Sequence, residues 1–66
     1  MIFFKAQRQD IALITKIFEA MSHLAVVSTL DRQAGLMRAM CDESSVDEVR
    51  RVLENLPCTI EILKKV

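Results

Sequence analysis

Few residues in this chain carry side chains suited to catalysis. A nucleophile needs a base beside it, and His23 is the one histidine. His23 follows a predicted helix, where an imidazole can cap the last carbonyls and complement the helix dipole. Cys58 follows Pro57 with no base close to it in sequence, and Ser28 and Thr29 fall inside a predicted strand. We therefore expect no catalytic residues and no enzymatic activity.

The acidic and sulfur-containing residues are typical of structural roles. Asp42 and Glu43 are adjacent acids, but they belong to a polar run that leads into a predicted helix. Cys41 and Cys58 are too few for a disulfide scaffold and lack the paired spacing of a zinc site. We expect reduced thiols, no metal and no cofactor.

The overall composition describes one small domain spanning residues 1–66, of which 52% are hydrophobic. Nine basic residues balance nine acidic ones, which argues against nucleic acid as a partner because phosphate neutralisation supplies much of that affinity. No apolar run is long enough to cross a membrane, and the start does not resemble a signal peptide. The expectation is a cytoplasmic protein without a membrane partner.

The first half of the chain predicts a strand followed by a helix. Residues 2–7 alternate between apolar and polar positions, which is the period of a strand. Asp10 is a good N-cap, and apolar residues then recur at helical spacing until Ser22–His23. The predicted buried stripe comprises Ile11, Ile14, Ile17, Phe18 and Met21.

Residues 24–41 predict a β-hairpin around the only glycine. Asp31 suits the first position of a type I turn, and Gly35 can take the left-handed conformation that closes the loop Arg32–Gly35. Continuing the register from Asp31 opposite Leu36 pairs Thr29 with Arg38 and Val27 with Met40. A charged side chain packs poorly beneath helices, so Arg38 should face outward. The predicted outer set is Ala25, Val27, Thr29, Leu36, Arg38 and Met40.

The second half ends in another helix and strand. Ser45 and Glu48 form an S-x-x-E capping box at the predicted helix start. The buried stripe comprises Val46, Val49, Val52, Leu53 and Leu56, and Pro57 ends the helix. Residues 59–63 then alternate, with Ile60 and Ile62 inward.

The element order is therefore strand, helix, strand, strand, helix, strand. Right-handed crossovers convert this order into the α+β ferredoxin-like fold, a βαββαβ two-layer sandwich. Its four-stranded antiparallel sheet has the order 4-1-3-2, with both helices on one face.

Such a sandwich leaves one sheet face open, and here that face is predicted to be rich in apolar residues. A large contiguous apolar patch usually marks an interaction surface. The second strand, residues 24–30, has no charge, proline or bulge signal and is an unprotected edge, whereas the last strand ends in Lys64-Lys65. We expect a homodimer, through this edge or the open face, or else contact with another protein. The candidate interface residues are Phe3, Val27, Leu30, Leu36, Arg38, Met40 and Leu63.

Known uses of this fold leave marks that can be sought in the sequence. Metal-chaperone domains carry a CxxC in the first strand–helix loop, which here is Gln7-Arg8-Gln9. RNA-recognition domains stack bases on aromatics of both central strands, but residues 35–41 have none. ACT domains are closer, being dimeric with ligands near the first strand–helix loop, although their glycine-containing loop is missing. Arg8 and Asp10 are the candidate ligand residues on this alternative.

Four stretches of the chain resemble a small bacterial family, the domain of unknown function number 4911. They are Asp10–Ile14, Glu19–Asp31, Ala34–Leu36 and Asp47–Arg50. The resemblance spans nearly the whole chain and implies a bacterial, stand-alone, cytoplasmic protein; it assigns no catalytic residue. Two functional hypotheses follow from the residues. The first is a non-catalytic homo-oligomeric interaction module, and the second is an ACT-like regulatory domain that binds an amino acid or similar metabolite.

Overall fold

The computed structural model describes residues 1–65, with residues 64 and 65 described by their backbone only. Within this part of the chain the strands are β1 (Ile2–Ala6), β2 (Val26–Asp31), β3 (Leu36–Met40) and β4 (Ile60–Lys65), and the α-helices are α1 (Ile11–Ala20) and α2 (Val46–Glu54). All pairings in the sheet are antiparallel. The order β2-β3-β1-β4 is the predicted order read from the opposite edge, so the ferredoxin-like fold is confirmed.

The core lies between the helices and one face of the sheet. The alternation of β1 buries Ile2, Phe4 and Ala6 on the helix side, and the predicted helical stripes supply the other layer. No polar or charged side chain is buried among the described residues, so burial of apolar surface is the main stabilising contribution here. The buried residues are Ile2, Phe4, Ala6, Ile11, Ile14, Phe18, Ala25, Met37, Ala39, Val49 and Leu53.

Both helices begin differently from the prediction. A side-chain N-cap requires an extended backbone at the capping residue, but Asp10 and Ser45 are helical and neither side chain makes a capping hydrogen bond. Each helix instead continues from a 3₁₀ turn, Arg8–Asp10 or Glu43–Ser45. The N–H that ends each turn bonds the carbonyl three residues back at 2.9 Å. The predictions of an Asp10 N-cap and of a Ser45–Glu48 capping box were therefore wrong.

The β2–β3 turn has the predicted form. Residues 32–35 are the four turn residues, and Asp31 lies opposite Leu36. The Asp31 Oδ1 atom accepts a hydrogen bond from the Ala34 N–H at 3.1 Å. Gly35 has a φ of 72°, a left-handed conformation that glycine adopts without steric cost.

Beyond the turn, the predicted hairpin register is wrong because β2 contains an irregularity. The register shifts between Thr29 and Asp31, so Thr29 lies opposite Met37 and Val27 lies opposite Ala39. One extra residue in a strand inverts which face every following side chain occupies. Because Met37 and Ala39 are buried, Thr29 and Val27 lie on the helix side of the sheet.

The same shift reverses the other predictions for β2. Ala25, predicted to face outward, is 3% exposed. Val26 lies opposite Met40 and Ser28 opposite Arg38, which places Val26 and Ser28 on the open face. The expectation that the second strand carries no bulge was also wrong.

Strand β4 confirms the predicted inward residues and carries an irregularity of its own. Ile60 lies opposite Ala6 and Ile62 opposite Phe4, so both point toward the core. The register then shifts between Phe3 and Phe4, which leaves Leu63 without a direct partner. The predicted protection of this edge depends on the lysine side chains at 64 and 65, which lie outside the described part of the structure.

Candidate functional site

The open face of the sheet is centred on Arg38. Arg38 on β3 lies opposite Phe3 of β1 on one side and opposite Ser28 of β2 on the other. Leu36 and Met40 flank it along its own strand, because alternate residues share a face. Apart from Ser28, the nearest side chains on this face are therefore apolar.

Arg38 has an unsatisfied polar atom. The residue is half-buried, and its Nε is buried without a hydrogen-bond partner among the described residues. A donor that neither water nor protein satisfies costs more than an exposed one, and more again when it is charged. The Nε atom thus lies among mostly apolar neighbours, and the described residues provide no acceptor for it.

The open face also carries charges of both signs. Lys5 lies opposite Glu61, and Asp31 lies beside Leu36 at the turn end of the face. Among the described side chains, Arg38 and Lys5 thus share this face with the carboxylates of Asp31 and Glu61. A surface that carries both signs can complement a second copy of itself.

Exposed apolar side chains lie on the open face and on the two edge strands. Val26 is 60% exposed and its register partner Met40 is 43% exposed. Leu30 and Leu63, at the irregular positions of the two edge strands, are 44% and 46% exposed. Val26 and Met40 thus extend the apolar surface of the open face from β3 onto β2, and Leu30 and Leu63 are exposed on the two edge strands.

The structure brings together most of the predicted interface residues. Phe3, Leu36, Arg38 and Met40 share the open face, and Leu30 and Leu63 lie at its two edges. Val27 does not belong to this face, because the β2 irregularity turns it toward the helices. Val26 takes its place and was missed. Two adjacent valines suit either face equally, so no local signal distinguished them.

A cavity of ≈ 330 Å³ opens at the rim of this face, where β2 begins and β3 ends. Val26 and Met40 line it from the sheet, and His23, Cys41 and Asp42 line it from the flanking loops. His23 is exposed and Cys41 is half-buried. Within residues 1–65, no three His, Cys, Asp or Glu side chains are grouped so that they could hold a metal ion.

The predicted ligand residues lie at the other end of the sheet, in the 3₁₀ turn between β1 and α1. Arg8 is exposed and Asp10 is half-buried. Burial raises the pKa of the Cys58 thiol above its ordinary value, and the negative charge of Asp10 raises that pKa further. The turn therefore lies close to the start of β4. Both cysteines are free thiols.

This proximity predicts a change in thiol reactivity. Because a thiolate is the reactive species, replacing Asp10 by asparagine should lower the Cys58 pKa and accelerate its alkylation at pH 8. Mass spectrometry of iodoacetamide-treated protein would report the rate at each cysteine. Asp42→Asn, beside Cys41, is the matched control and should leave the Cys58 rate unchanged. An unaltered Cys58 rate in Asp10→Asn would contradict the electrostatic contact.

Neither described helix has the length and apolar character needed to cross a membrane.

Comparison with known proteins identifies the family. No curated protein and no solved structure matches the chain. A family model described as Domain of unknown function matches residues 4–60, which is nearly the whole chain and includes the resemblance noted from the sequence. The chain therefore belongs to the DUF4911 family.

Proposed function

We propose that this protein is a non-catalytic interaction module that self-associates through the open face of its sheet. The observation that carries the proposal is the half-buried Arg38, which has an unsatisfied Nε and lies among apolar side chains on a face that no helix covers. A second copy laid on this face would bury Val26 and Met40 and bring acceptors to the guanidinium.

The area that a stable dimer must bury favours a contact through the whole open face. An ordinary stable interface buries about 800 Å² on each partner, and the folded chain exposes 4321 Å². A dimer must therefore cover roughly a fifth of this surface. The Cα trace measures 30 × 23 × 18 Å, so a contact of that size requires one of its broad faces.

Pairing through the β2 edge is less favourable. Strand β2 is six residues long, which corresponds to an edge of about 20 Å. The irregularity between Thr29 and Asp31 interrupts the row of backbone groups that a new strand would need. The open face is continuous across β3 and β1, so it offers the larger contact.

The first test replaces an apolar residue of the face by a charge. Met40→Glu should abolish self-association, because it would place a carboxylate inside the apolar contact. Sedimentation velocity and light scattering at tens of micromolar should return a dimer for the unchanged protein and a monomer for the variant.

Leu13→Glu is the matched control for this test. Leu13 is 42% exposed on α1, close to the 43% of Met40, but it belongs to the helical layer. The Leu13→Glu substitution should leave the dimer intact, and circular dichroism should show that both variants are folded. A strictly monomeric unchanged protein, or equal loss of the dimer in both variants, would contradict the proposal.

Binding of a metabolite near Arg8 and Asp10 stays a prediction from the sequence. A thermal-shift screen against amino acids would support it if one of them raised the melting temperature. The same screen without any shift, together with a stable dimer, would leave the interaction module as the function.

A further inference from the structure

We propose that Arg38 binds the Glu61 carboxylate of the second copy and thereby sets the orientation of the dimer; this inference rests on the proposed self-association through the open face. A two-fold axis makes each contact occur twice. The interface would therefore contain two Arg38–Glu61 pairs, each joining the two chains.

Arg38 requires an acceptor that the described residues of its own chain do not provide. Its cross-strand neighbours are Phe3 and Ser28, and its Nε has no partner among the described residues. Covering the face with a second copy would remove the remaining water from the guanidinium. An arginine desolvated in this way destabilises an interface unless a carboxylate pairs with it.

Two described carboxylates lie on the open face, and within the described residues only that of Asp31 has a hydrogen-bond partner. Asp31 already accepts the hydrogen bond from the Ala34 N–H that holds the β2–β3 turn. Glu61 is exposed on β4, and no hydrogen bond or ion pair engages its carboxylate among the described residues.

The topology also favours Glu61 by symmetry. An axis that exchanges two positions passes midway between them. Strand β1 lies between β3 and β4, so the midpoint between Arg38 and Glu61 falls on β1 near Phe3 and Lys5. This is the middle of the open face. The midpoint between Arg38 and Asp31 would fall between β3 and β2, and a dimer centred there would leave β4 uncovered.

The position of the axis assigns a role to Phe3. Half-buried Phe3 would meet its own copy near the axis, where aromatic residues often anchor interfaces. The two charged pairs would lie on either side of this apolar centre. This arrangement supplies each desolvated arginine with a carboxylate.

Charge reversal with complementation tests the pairing. Arg38→Glu alone would place two like-charged carboxylates together, and Glu61→Lys alone would do the same with two cations. Each variant should weaken self-association roughly tenfold or more. An equimolar mixture of the two variants restores both opposite-charge pairs, but only between unlike chains. It should therefore form a heterodimer by sedimentation equilibrium and native mass spectrometry.

The controls separate this inference from the proposed function. Lys16→Glu and Glu19→Lys make the same charge changes on exposed positions of α1 and should neither weaken the dimer nor favour a heterodimer. A dimer that Met40→Glu disrupts but Arg38→Glu and Glu61→Lys leave unchanged would overturn the pairing alone. So would a mixture that stays monomeric. A monomeric unchanged protein would overturn both proposals.

Discussion

Replacing Phe4 by alanine is expected to cost the fold about 3–5 kcal/mol, the usual loss for a large aromatic side chain removed from a core. Phe4 has 0% exposure and lies on β1, a central strand of the sheet, with Met37 and Ile62 opposite it. A domain of this size has a free energy of unfolding of about 3–10 kcal/mol. Urea denaturation followed by circular dichroism should show the variant largely unfolded or close to it.

Phe3→Ala is the matched comparison, since Phe3 is the same residue type on the other face of the same strand. Its truncation should cost the monomer less, because Phe3 is half-buried on the open face. Its main effect should be on self-association. The concentration dependence of the melting temperature, which dimerisation produces, should disappear in Phe3→Ala. Equal destabilisation by the two variants at low protein concentration would contradict the assignment of faces. Phe4→Leu keeps the core measurement possible if Phe4→Ala does not fold.

Gly35→Ala is the second substitution with a large expected effect. A Cβ atom at this position would lie 1.8 Å from the Ala6 carbonyl oxygen, and the backbone has a φ of 72°. The left-handed conformation alone costs a non-glycine residue about 1–2 kcal/mol. Relieving the contact with Ala6 would also disturb the hydrogen bond from the Ala6 N–H to the Gly35 carbonyl, which measures 2.8 Å. We expect a total loss of about 3 kcal/mol or more in urea denaturation.

Gln33→Ala provides the control for Gly35→Ala. Gln33 is exposed in the same turn, and a surface substitution of this kind usually changes the free energy of unfolding by less than about 0.5 kcal/mol. If Gly35→Ala were as stable as Gln33→Ala, the close approach between this turn and the end of β1 would be wrong.

The candidate site was predictable in part. Phe3, Leu36, Arg38 and Met40 were placed on one face because strand alternation and the cost of burying a charge both assign them there. The turn was predictable because Asp31 and Gly35 have side-chain and backbone preferences that act over four residues. The exchange of Val26 for Val27 was not predictable, since both are equally suited to the core.

The irregularity in β2 has a physical explanation that only the folded chain supplies. At the start of the strand, the chain leaves α1 with the Leu24 and Ala25 N–H groups bonded to the Met21 carbonyl at 2.8 and 3.3 Å. This fixes Ala25 on the buried side. At the other end, the turn fixes Asp31 opposite Leu36 on the open side. Strict alternation between residues 25 and 31 would put both on the same side, so one extra residue is accommodated at Leu30.

By itself, the sequence determined the order of the elements, the inward faces of β1 and both helices, and the β2–β3 turn. These features follow from periodicity and turn chemistry, which act between residues close together in the chain. The tertiary structure alone decided the starts of the helices, the register of β2 and the unsatisfied position of Arg38. Each of these depends on how distant segments meet, and local preferences at Ser45, Val26 and Val27 were too small to outweigh that packing.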